Sequence, residues 1–352
     1  MNRHLLNSIW MGVIVSLSVC CSTVVMASQI AIEHVGFYQE EVERHSYRPL
    51  NVTLWYPTNE HSPIDKIADN VAFVGTDVIK GASIVEGKLP VVLLSHGYRG
   101  SWRNLNWLAT ELARDGYLVA AVDHAGTTTF NHQAELASQW WERPKDIQRL
   151  LTWLMTEEQW SQSIDQSNVS GIGHSLGGWT VMQLAGAELD RKQLHQECLA
   201  HPNPRVCGLM PELGLDTKQS AEPIHIQFKD KRIQKVISLD LGLARGFSRS
   251  SLSRVNTPTL ILAAGVDIGD LPYQEESGFL AEYIPESMHR FIVYQDATHF
   301  SFMQVCKPGA IEILEDEYPG DGIICQYGGV RSRMALHNVM LEDIRTFLST
   351  PF

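Results

Sequence analysis

Residues 169–178 read Val169-Ser170-Gly171-Ile172-Gly173-His174-Ser175-Leu176-Gly177-Gly178. This stretch joins a short apolar run to a Gly-x-Ser-x-Gly string, and residues that suit a helix follow. A serine on such a strand-to-helix turn is strained, and its hydroxyl is exposed to a substrate. Gly173 and Gly177 are needed on either side of this serine, because a Cβ atom at either position would collide with neighbouring backbone. The stretch therefore predicts that Ser175 is a nucleophile.

Two other interpretations of these glycines are weaker. One is a glycine-rich turn with an ordinary N-capping serine, and the other is a dinucleotide-binding fingerprint that begins at Gly171. The fingerprint fails because Leu176 stands where its third glycine is required. The apolar run before Ser175 and the helical pattern after it favour the nucleophile turn.

Strand and helix patterns alternate on both sides of that turn. Strand patterns cover residues 89–96, 117–122, 169–173, 235–241, 259–264 and 291–294. Helical patterns begin near Ser101, Pro144 and Gly177, and the last one covers residues 336–348. This alternation predicts an α/β fold with a doubly wound, mostly parallel sheet.

The domain organisation follows from the breaks in this pattern. Residues 31–56 indicate an antiparallel β segment before the parallel sheet. Near 190–232 and 300–333 the sequence becomes polar and carries proline or glycine, as loops that shape a site do. We expect one domain over residues 28–352, in which these two segments are lid-like insertions.

A serine nucleophile needs a base to take its proton and an acid to orient that base. In sheets of this type the acid follows the serine in sequence and the histidine comes last. His299 is the predicted base because it follows a late strand and precedes the final helix. Asp267 comes first after the preceding strand and is the predicted acid, with Asp270 and Asp240 as the alternatives.

Two backbone N–H groups are expected to form an oxyanion hole. One is that of Leu176, directly after the nucleophile. The other is that of Tyr98, in the turn Ser95-His96-Gly97-Tyr98-Arg99-Gly100 after the first central strand. Gly97 gives the chain room to turn at that point.

The first 27 residues predict an exported protein, either periplasmic or secreted. Arg3 precedes a long apolar stretch, which ends at Ala27 in the small-residue pattern of a cleavage site. The alternatives to a cleaved signal peptide are a retained anchor helix and lipidation at Cys20 or Cys21. No later stretch approaches spanning length, so no integral membrane span is expected in the mature chain.

Four cysteines remain after the signal peptide. An even number in an exported chain predicts disulfides, and the local pairs are Cys198–Cys207 and Cys306–Cys325. The alternative for the first pair is a zinc site, whose ligands would be His195, Cys198, His201 and Cys207. Its spacing matches no common zinc pattern, so neither a metal nor a cofactor is expected.

Composition excludes several classes of protein. Among 352 residues, 44% are hydrophobic and 19% are charged, which is typical of a chain with a large core rather than a disordered one. The formal net charge of -12 would repel nucleic acid, so a nucleic-acid-binding protein is not expected.

Seven stretches spread through most of the chain carry a resemblance to a known family. They are Arg48-Pro49-Leu50, Leu54-Trp55-Tyr56-Pro57-Thr58, Leu94-Ser95-His96-Gly97, Val119-Ala120-Ala121-Val122-Asp123-His124, Glu142-Arg143-Pro144-Lys145-Asp146, Gly173-His174-Ser175-Leu176-Gly177-Gly178 and Ala297-Thr298-His299-Phe300. With these residues the chain resembles secreted bacterial α/β hydrolases of the predicted dienelactone-hydrolase-like group, which are related to platelet-activating factor acetylhydrolase. The resemblance implies an α/β-hydrolase fold, a Ser–Asp–His triad and no metal. The chain differs from true dienelactone hydrolases in carrying serine where they carry cysteine.

The resemblance further implies a carboxylic ester hydrolase, whose serine nucleophile would work through an acyl-enzyme. Its expected substrate is a small-molecule or lipid ester, with acetyl or another short acyl group. An amidase or peptidase with the same triad is one alternative. A non-catalytic binding protein on the same fold is another, although such proteins usually lose the nucleophile or the histidine.

Overall fold

The computed structural model of the protein describes Met1 and residues 34–216, 227–267 and 271–351. The predicted signal peptide, with Cys20 and Cys21, lies outside the described residues apart from Met1. Asp270, one of the alternative acids, also lies outside them.

A mixed, mostly parallel sheet forms the centre of the fold. The strands in the described residues are β1 (His34–Val42), β2 (Leu50–Thr58), β3 (Asp65–Ile67), β4 (Thr76–Lys80), β5 (Leu89–Ser95), β6 (Leu118–Asp123), β7 (Ile164–His174), β8 (Lys235–Leu239), β9 (Thr259–Val266) and β10 (His289–Thr298). Their order across the sheet is β10-β9-β8-β7-β5-β6-β2-β1-β4-β3. Strands β5 to β10 are parallel, whereas β2 pairs antiparallel with β1 and β6. The predicted doubly wound, mostly parallel sheet is confirmed.

Helices alternate with the parallel strands, as predicted. In the described residues they are α1 (Asn106–Arg114), α2 (Ala134–Ala137), α3 (Glu142–Thr156), α4 (Glu158–Ser161), α5 (Leu176–Ala185), α6 (Arg191–Ala200), α7 (Pro204–Cys207), α8 (Arg249–Leu252), α9 (Ser277–Tyr283), α10 (Ala310–Glu317) and α11 (Arg333–Ser349). Short 3₁₀ turns cover Trp102–Leu105, Ala244–Gly246, Glu286–Met288, His299–Phe302 and Asp321–Cys325. Within the described part of the chain, no helix combines the length and the apolar character needed to cross a bilayer.

The sheet separates two apolar layers. Along β5, Val91 and Leu93 belong to one layer and Val92 and Leu94 to the other, as the two-residue period of a strand requires. Helices α3 and α5 complete the first layer, and α1 and α11 complete the second. Helices therefore cover both faces of the parallel strands. A functional site is expected at the carboxyl ends of these strands.

Local sequence explains where several of these helices begin and end. The Ser101 side chain caps the turn that leads into α1, and the Ser332 side chain caps α11. Gly186 ends α5 with a φ of 110°, a left-handed conformation that favours glycine. Strands β3 and β4 were not predicted because they are short and bear charged side chains such as Lys66 and Asp77, which pair with each other.

The two predicted insertions each contain a disulfide. Cys198 at the end of α6 is bonded to Cys207 at the end of α7, with Cα atoms 5.7 Å apart. Cys306 is bonded to Cys325, with Cα atoms 5.8 Å apart, and α10 lies between them. The local pairing predicted from the sequence is confirmed, and the zinc alternative loses both of its thiolate ligands.

Candidate active site

The predicted site residues follow the carboxyl ends of the parallel strands. Tyr98 comes after β5, Ser175 and Leu176 come after β7, and His299 comes after β10. All four line a single cavity of about 300 Å³. Ligand sites of open α/β sheets lie at this edge, so the structure brings these four residues together where a substrate would bind.

Ser175 occupies the sharp turn between β7 and α5. Its φ of 55° and ψ of -121° are strained for a non-glycine residue, and its N–H donates to the Leu239 carbonyl at 3.0 Å. The neighbouring backbone is very close: a Cβ on Gly173 would lie 2.0 Å from the Gly177 carbonyl oxygen, and one on Gly177 would lie 1.9 Å from the Ser95 carbonyl oxygen. Glycine is thus required at both positions for the turn to form.

His299 is oriented by a carboxylate at the end of β8. Its Nδ1 lies 2.7 Å from Asp240 Oδ2, and both side chains are largely buried. The other oxygen, Asp240 Oδ1, accepts the N–H of Ala264 at 2.8 Å. With Nδ1 committed to Asp240, Nε2 is the imidazole nitrogen that can exchange a proton with a substrate or a nucleophile.

This arrangement corrects the sequence-based choice of acid. Asp267 follows β9 as predicted, but the carboxylate beside His299 belongs to Asp240, which follows β8. The Asp267 side chain instead accepts the N–H of Leu271 at 2.9 Å. Asp240 can contact His299 because its side chain extends from the end of β8 across the edge of the sheet. There its Oδ1 accepts a backbone N–H of β9. A useful signal was the position of Asp240 directly after a buried strand and inside an apolar run.

Both predicted oxyanion donors belong to backbone close to Ser175. Leu176 is the first residue of α5, where helical N–H groups have no partner within the helix. Gly97, the residue before Tyr98, is so close to Ser175 that a Cβ on it would lie 3.1 Å from the serine Cβ. The turn that carries Tyr98 is therefore adjacent to Ser175. The Tyr98 hydroxyl donates to the Glu212 carboxylate.

A buried arginine links the Tyr98 turn to α5, the helix that follows Ser175. Arg143 donates to the His96 carbonyl and to Ser95 Oγ, the latter at 3.3 Å. Its Nε donates to Thr180 Oγ1 on α5 at 3.0 Å. Burial lowers the pKa of Arg143 to about 9, so the guanidinium is still charged at neutral pH.

A chain of buried hydrogen bonds runs from the Ser95 hydroxyl to Arg48. That hydroxyl lies 2.9 Å from His124 Nε2, and His124 Nδ1 lies 3.0 Å from the Asp146 carboxylate. Arg48 pairs with both oxygens of Asp146, at 2.8 and 2.9 Å. Burial holds the pKa of His124 well below its usual range, so the ring is neutral and donates to Asp146. These contacts fix the strand end from which the Tyr98 turn begins.

The disulfide-linked insertion supplies one wall of the cavity. The wall residues are Pro204, Arg205, Val206, Gly208, Leu209 and Glu212. The other lining residues include Gly242, Leu243, Leu271 and Phe300. The lining is mostly apolar, and its charged members are Arg205 and Glu212. Within the described residues, no group of three or more His, Cys, Asp or Glu side chains is arranged to hold a metal ion.

Parts of the chain are similar to known hydrolases. A family model described as serine aminopeptidase, S33, matches residues 88–206, about a third of the chain. Cutinase est1 of Thermobifida alba is 26% identical over 136 residues, which cover 37% of this chain and 43% of the cutinase. Platelet-activating factor acetylhydrolase of Cavia porcellus is 28% identical over 138 residues, covering 27% of this chain and 31% of that protein. The chain thus matches less than half the length of these curated relatives.

The similarity of structure extends further than that of sequence. The solved structure of a ferulic acid esterase from Streptomyces cinnamoneus aligns with 92% of this chain and 90% of its own, with a TM-score of 0.61 at 20% identity. The strand order, the strained serine turn and this alignment agree with one another. The chain therefore has the α/β-hydrolase fold.

Proposed function

We propose that the protein is a serine hydrolase that cleaves carboxylic esters. Ser175 is the nucleophile, His299 the base and Asp240 the acid, and the Tyr98 and Leu176 N–H groups form the oxyanion hole. The observation that carries the proposal is that His299, whose Nδ1 is paired with Asp240, lines the same cavity as Ser175.

Each group has a defined step in the reaction. His299 Nε2 takes the proton of the Ser175 hydroxyl as its oxygen attacks the ester carbonyl carbon. The oxyanion that forms is stabilised by the two N–H donors, and Asp240 stabilises the imidazolium through Nδ1–H. The imidazolium then protonates the leaving alcohol, which gives an acyl-enzyme. Water, activated by the same histidine, releases the acid and restores the hydroxyl.

The similar proteins favour esters over other acyl compounds, and the cavity favours a short acyl group. The curated relatives are a cutinase and an acetylhydrolase, and the structural neighbour is an esterase. The cavity is also small and mostly apolar, and it suits a short acyl group. The expected substrates are acetyl or other short-chain esters of small molecules or lipids.

Export is part of the same proposal. Disulfides persist in oxidising compartments, and the described residues contain two of them. Together with the predicted signal peptide of residues 1–27, they support a periplasmic or secreted enzyme.

A peptidase is the second candidate, because the matching family model is described as a serine aminopeptidase. The purified chain from residue 28 should be assayed on p-nitrophenyl esters of increasing acyl length and on amino-acid p-nitroanilides. We expect turnover of the short esters and a fall in kcat/KM as the acyl chain lengthens. Ser175→Ala should lower ester turnover by at least about 10⁴-fold. A higher kcat/KM on the anilides would favour the peptidase, and no turnover of either class would favour a binding protein.

A further inference from the structure

The proposed base lies on a very short backbone element. His299 begins the 3₁₀ turn His299–Phe302, directly after β10. Thr298 and Ser301 cap this turn, with the Thr298 N–H donating to Ser301 Oγ at 2.9 Å. A turn of four residues satisfies few of its own carbonyl groups, so the others need partners from elsewhere in the fold.

Three aromatic ring N–H groups supply those partners. His174 Nε2 lies 2.9 Å from the carbonyl oxygen of His299, and His337 Nε2 lies 3.0 Å from that of Ser301. Trp107 Nε1 donates to the carbonyl of Phe302 at 2.9 Å. The donors come from the nucleophile turn, from α11 and from α1 respectively. Three separate elements therefore converge on the backbone that carries the base.

Two of these rings are also stacked on each other. The rings of Trp107 and His337 are 3.6 Å apart between centroids, with an angle of 6° between their planes. Burial lowers the pKa of His337 to about 3, so the ring is neutral and carries one N–H. Because a carbonyl oxygen can only accept, that hydrogen must be on Nε2. The stack holds both N–H donors towards neighbouring carbonyls of the same turn.

We propose that Trp107 and His337 are positioning residues for the base: their stacked rings fix the backbone of the 299–302 turn. Asp240 holds one nitrogen of the imidazole, but the direction of Nε2 also depends on where the backbone of His299 lies. A displacement of about 1 Å in a reacting group can cost on the order of 100-fold in rate. This inference rests on the proposed function, because it assigns a role to His299 in turnover.

The test separates the N–H donor from the aromatic ring. Trp107→Phe keeps a ring in the stack but removes the donor, and it should lower kcat on p-nitrophenyl acetate by about tenfold or more. KM should stay unchanged, because Trp107 does not line the cavity. His337→Leu should have a similar effect. His337→Gln, whose side-chain amide can donate from a similar position, should recover much of the lost kcat.

Trp160 provides a matched control. It is a buried tryptophan whose Nε1 has no hydrogen-bond partner among the described residues, and it lies in the opposite apolar layer. Trp160→Phe should lower the thermal midpoint without changing kcat. The low-field proton NMR signal of the His299 Nδ1–H group is a second measurement, because it depends on the geometry of the contact with Asp240. It should shift or broaden in Trp107→Phe and stay in place in Trp160→Phe.

Turnover should be expressed per serine titrated with a phosphonate, so that loss of folded protein does not appear as loss of kcat. Wild-type kcat and an unshifted NMR signal in Trp107→Phe would overturn the positioning role. If that variant does not fold, the same outcome in His337→Leu would overturn it. A wild-type protein that neither reacts with the phosphonate nor hydrolyses esters would instead contradict the proposed function.

Discussion

Asp240 reaches from the end of β8 to place its carboxylate 2.7 Å from His299 Nδ1, while its other oxygen bonds to the backbone of β9. One carboxylate thereby links the strand next to the nucleophile strand with the turn that carries the base. The geometry gives Asp240, rather than Asp267, the position of a triad acid.

The two aspartates give the first prediction. Asp240→Asn replaces one carboxylate oxygen with an NH₂ group, which removes the acceptor that stabilises the charged imidazolium. We expect kcat on a short p-nitrophenyl ester to fall by about 10⁴-fold. Asp267→Asn, the matched control, should change kcat by less than about tenfold, since the carboxylate beside His299 Nδ1 is that of Asp240 and the Asp267 carboxylate accepts the N–H of Leu271. The reverse order of effects would return the role to Asp267.

The close approach behind the nucleophile gives the second prediction. A Cβ on Gly177 would lie 1.9 Å from the Ser95 carbonyl oxygen, so Gly177→Ala must move the backbone of either α5 or β5. We expect the unfolding free energy to fall by about 1–3 kcal/mol, and turnover to fall strongly as well. Gly171→Ala is the control, because its Cβ would be in ordinary contact with the Val181 side chain at 3.4 Å. Equal effects of the two substitutions in thermal unfolding and turnover would refute this explanation.

The disulfides give the third prediction, in which the two bonds differ in function. Removing either pair by Cys→Ser substitution should cost about 3 kcal/mol of unfolding free energy in the chain-entropy account. Loss of Cys198–Cys207 should also raise KM, because Val206 in the clamped segment lines the cavity. Loss of Cys306–Cys325 should lower kcat instead, because this bond encloses the segment that follows the base. Kinetics of the two double variants at a temperature well below unfolding will test this, and identical profiles would contradict it.

His337 gives a prediction for the pH dependence of stability. Burial lowers its pKa from 6.5 to about 3 in the folded protein. Between these values the unfolded chain binds a proton that the folded protein does not, so stability is lost as the pH falls below 6.5. Relative to His337→Gln, the wild type should lose up to about 1.4 kcal/mol per pH unit across this window. Urea unfolding of both proteins at pH 7, 6 and 5 measures the difference, and a constant difference would contradict the prediction.

Much of the fold could be predicted because its signals are local. Buried parallel strands are short apolar runs, and the side chain of Ser101 marks the start of the turn that leads into α1. The strained turn was predicted for the same reason, since the glycines around Ser175 are adjacent in sequence. Both disulfides are local pairs as well.

The features that were missed depend on contacts between distant residues. The choice between Asp240 and Asp267 depends on how far a side chain reaches across a sheet edge, which sequence order alone does not specify. The stack of Trp107 on His337 joins residues 230 positions apart in the chain. In the sequence alone, Trp107 and His337 each fit the pattern of an ordinary residue in an amphipathic helix.

If Ser175 is the nucleophile of this site, a covalent probe for reactive serines should label it. The purified protein should be treated with a serine-directed phosphonate, digested and mapped by mass spectrometry, with turnover of a short p-nitrophenyl ester followed in parallel. We expect one label per chain, at Ser175, with turnover lost in proportion to labelling, and no label in Ser175→Ala. Labelling at a different serine, or ester turnover that survives in Ser175→Ala, would contradict this role of Ser175.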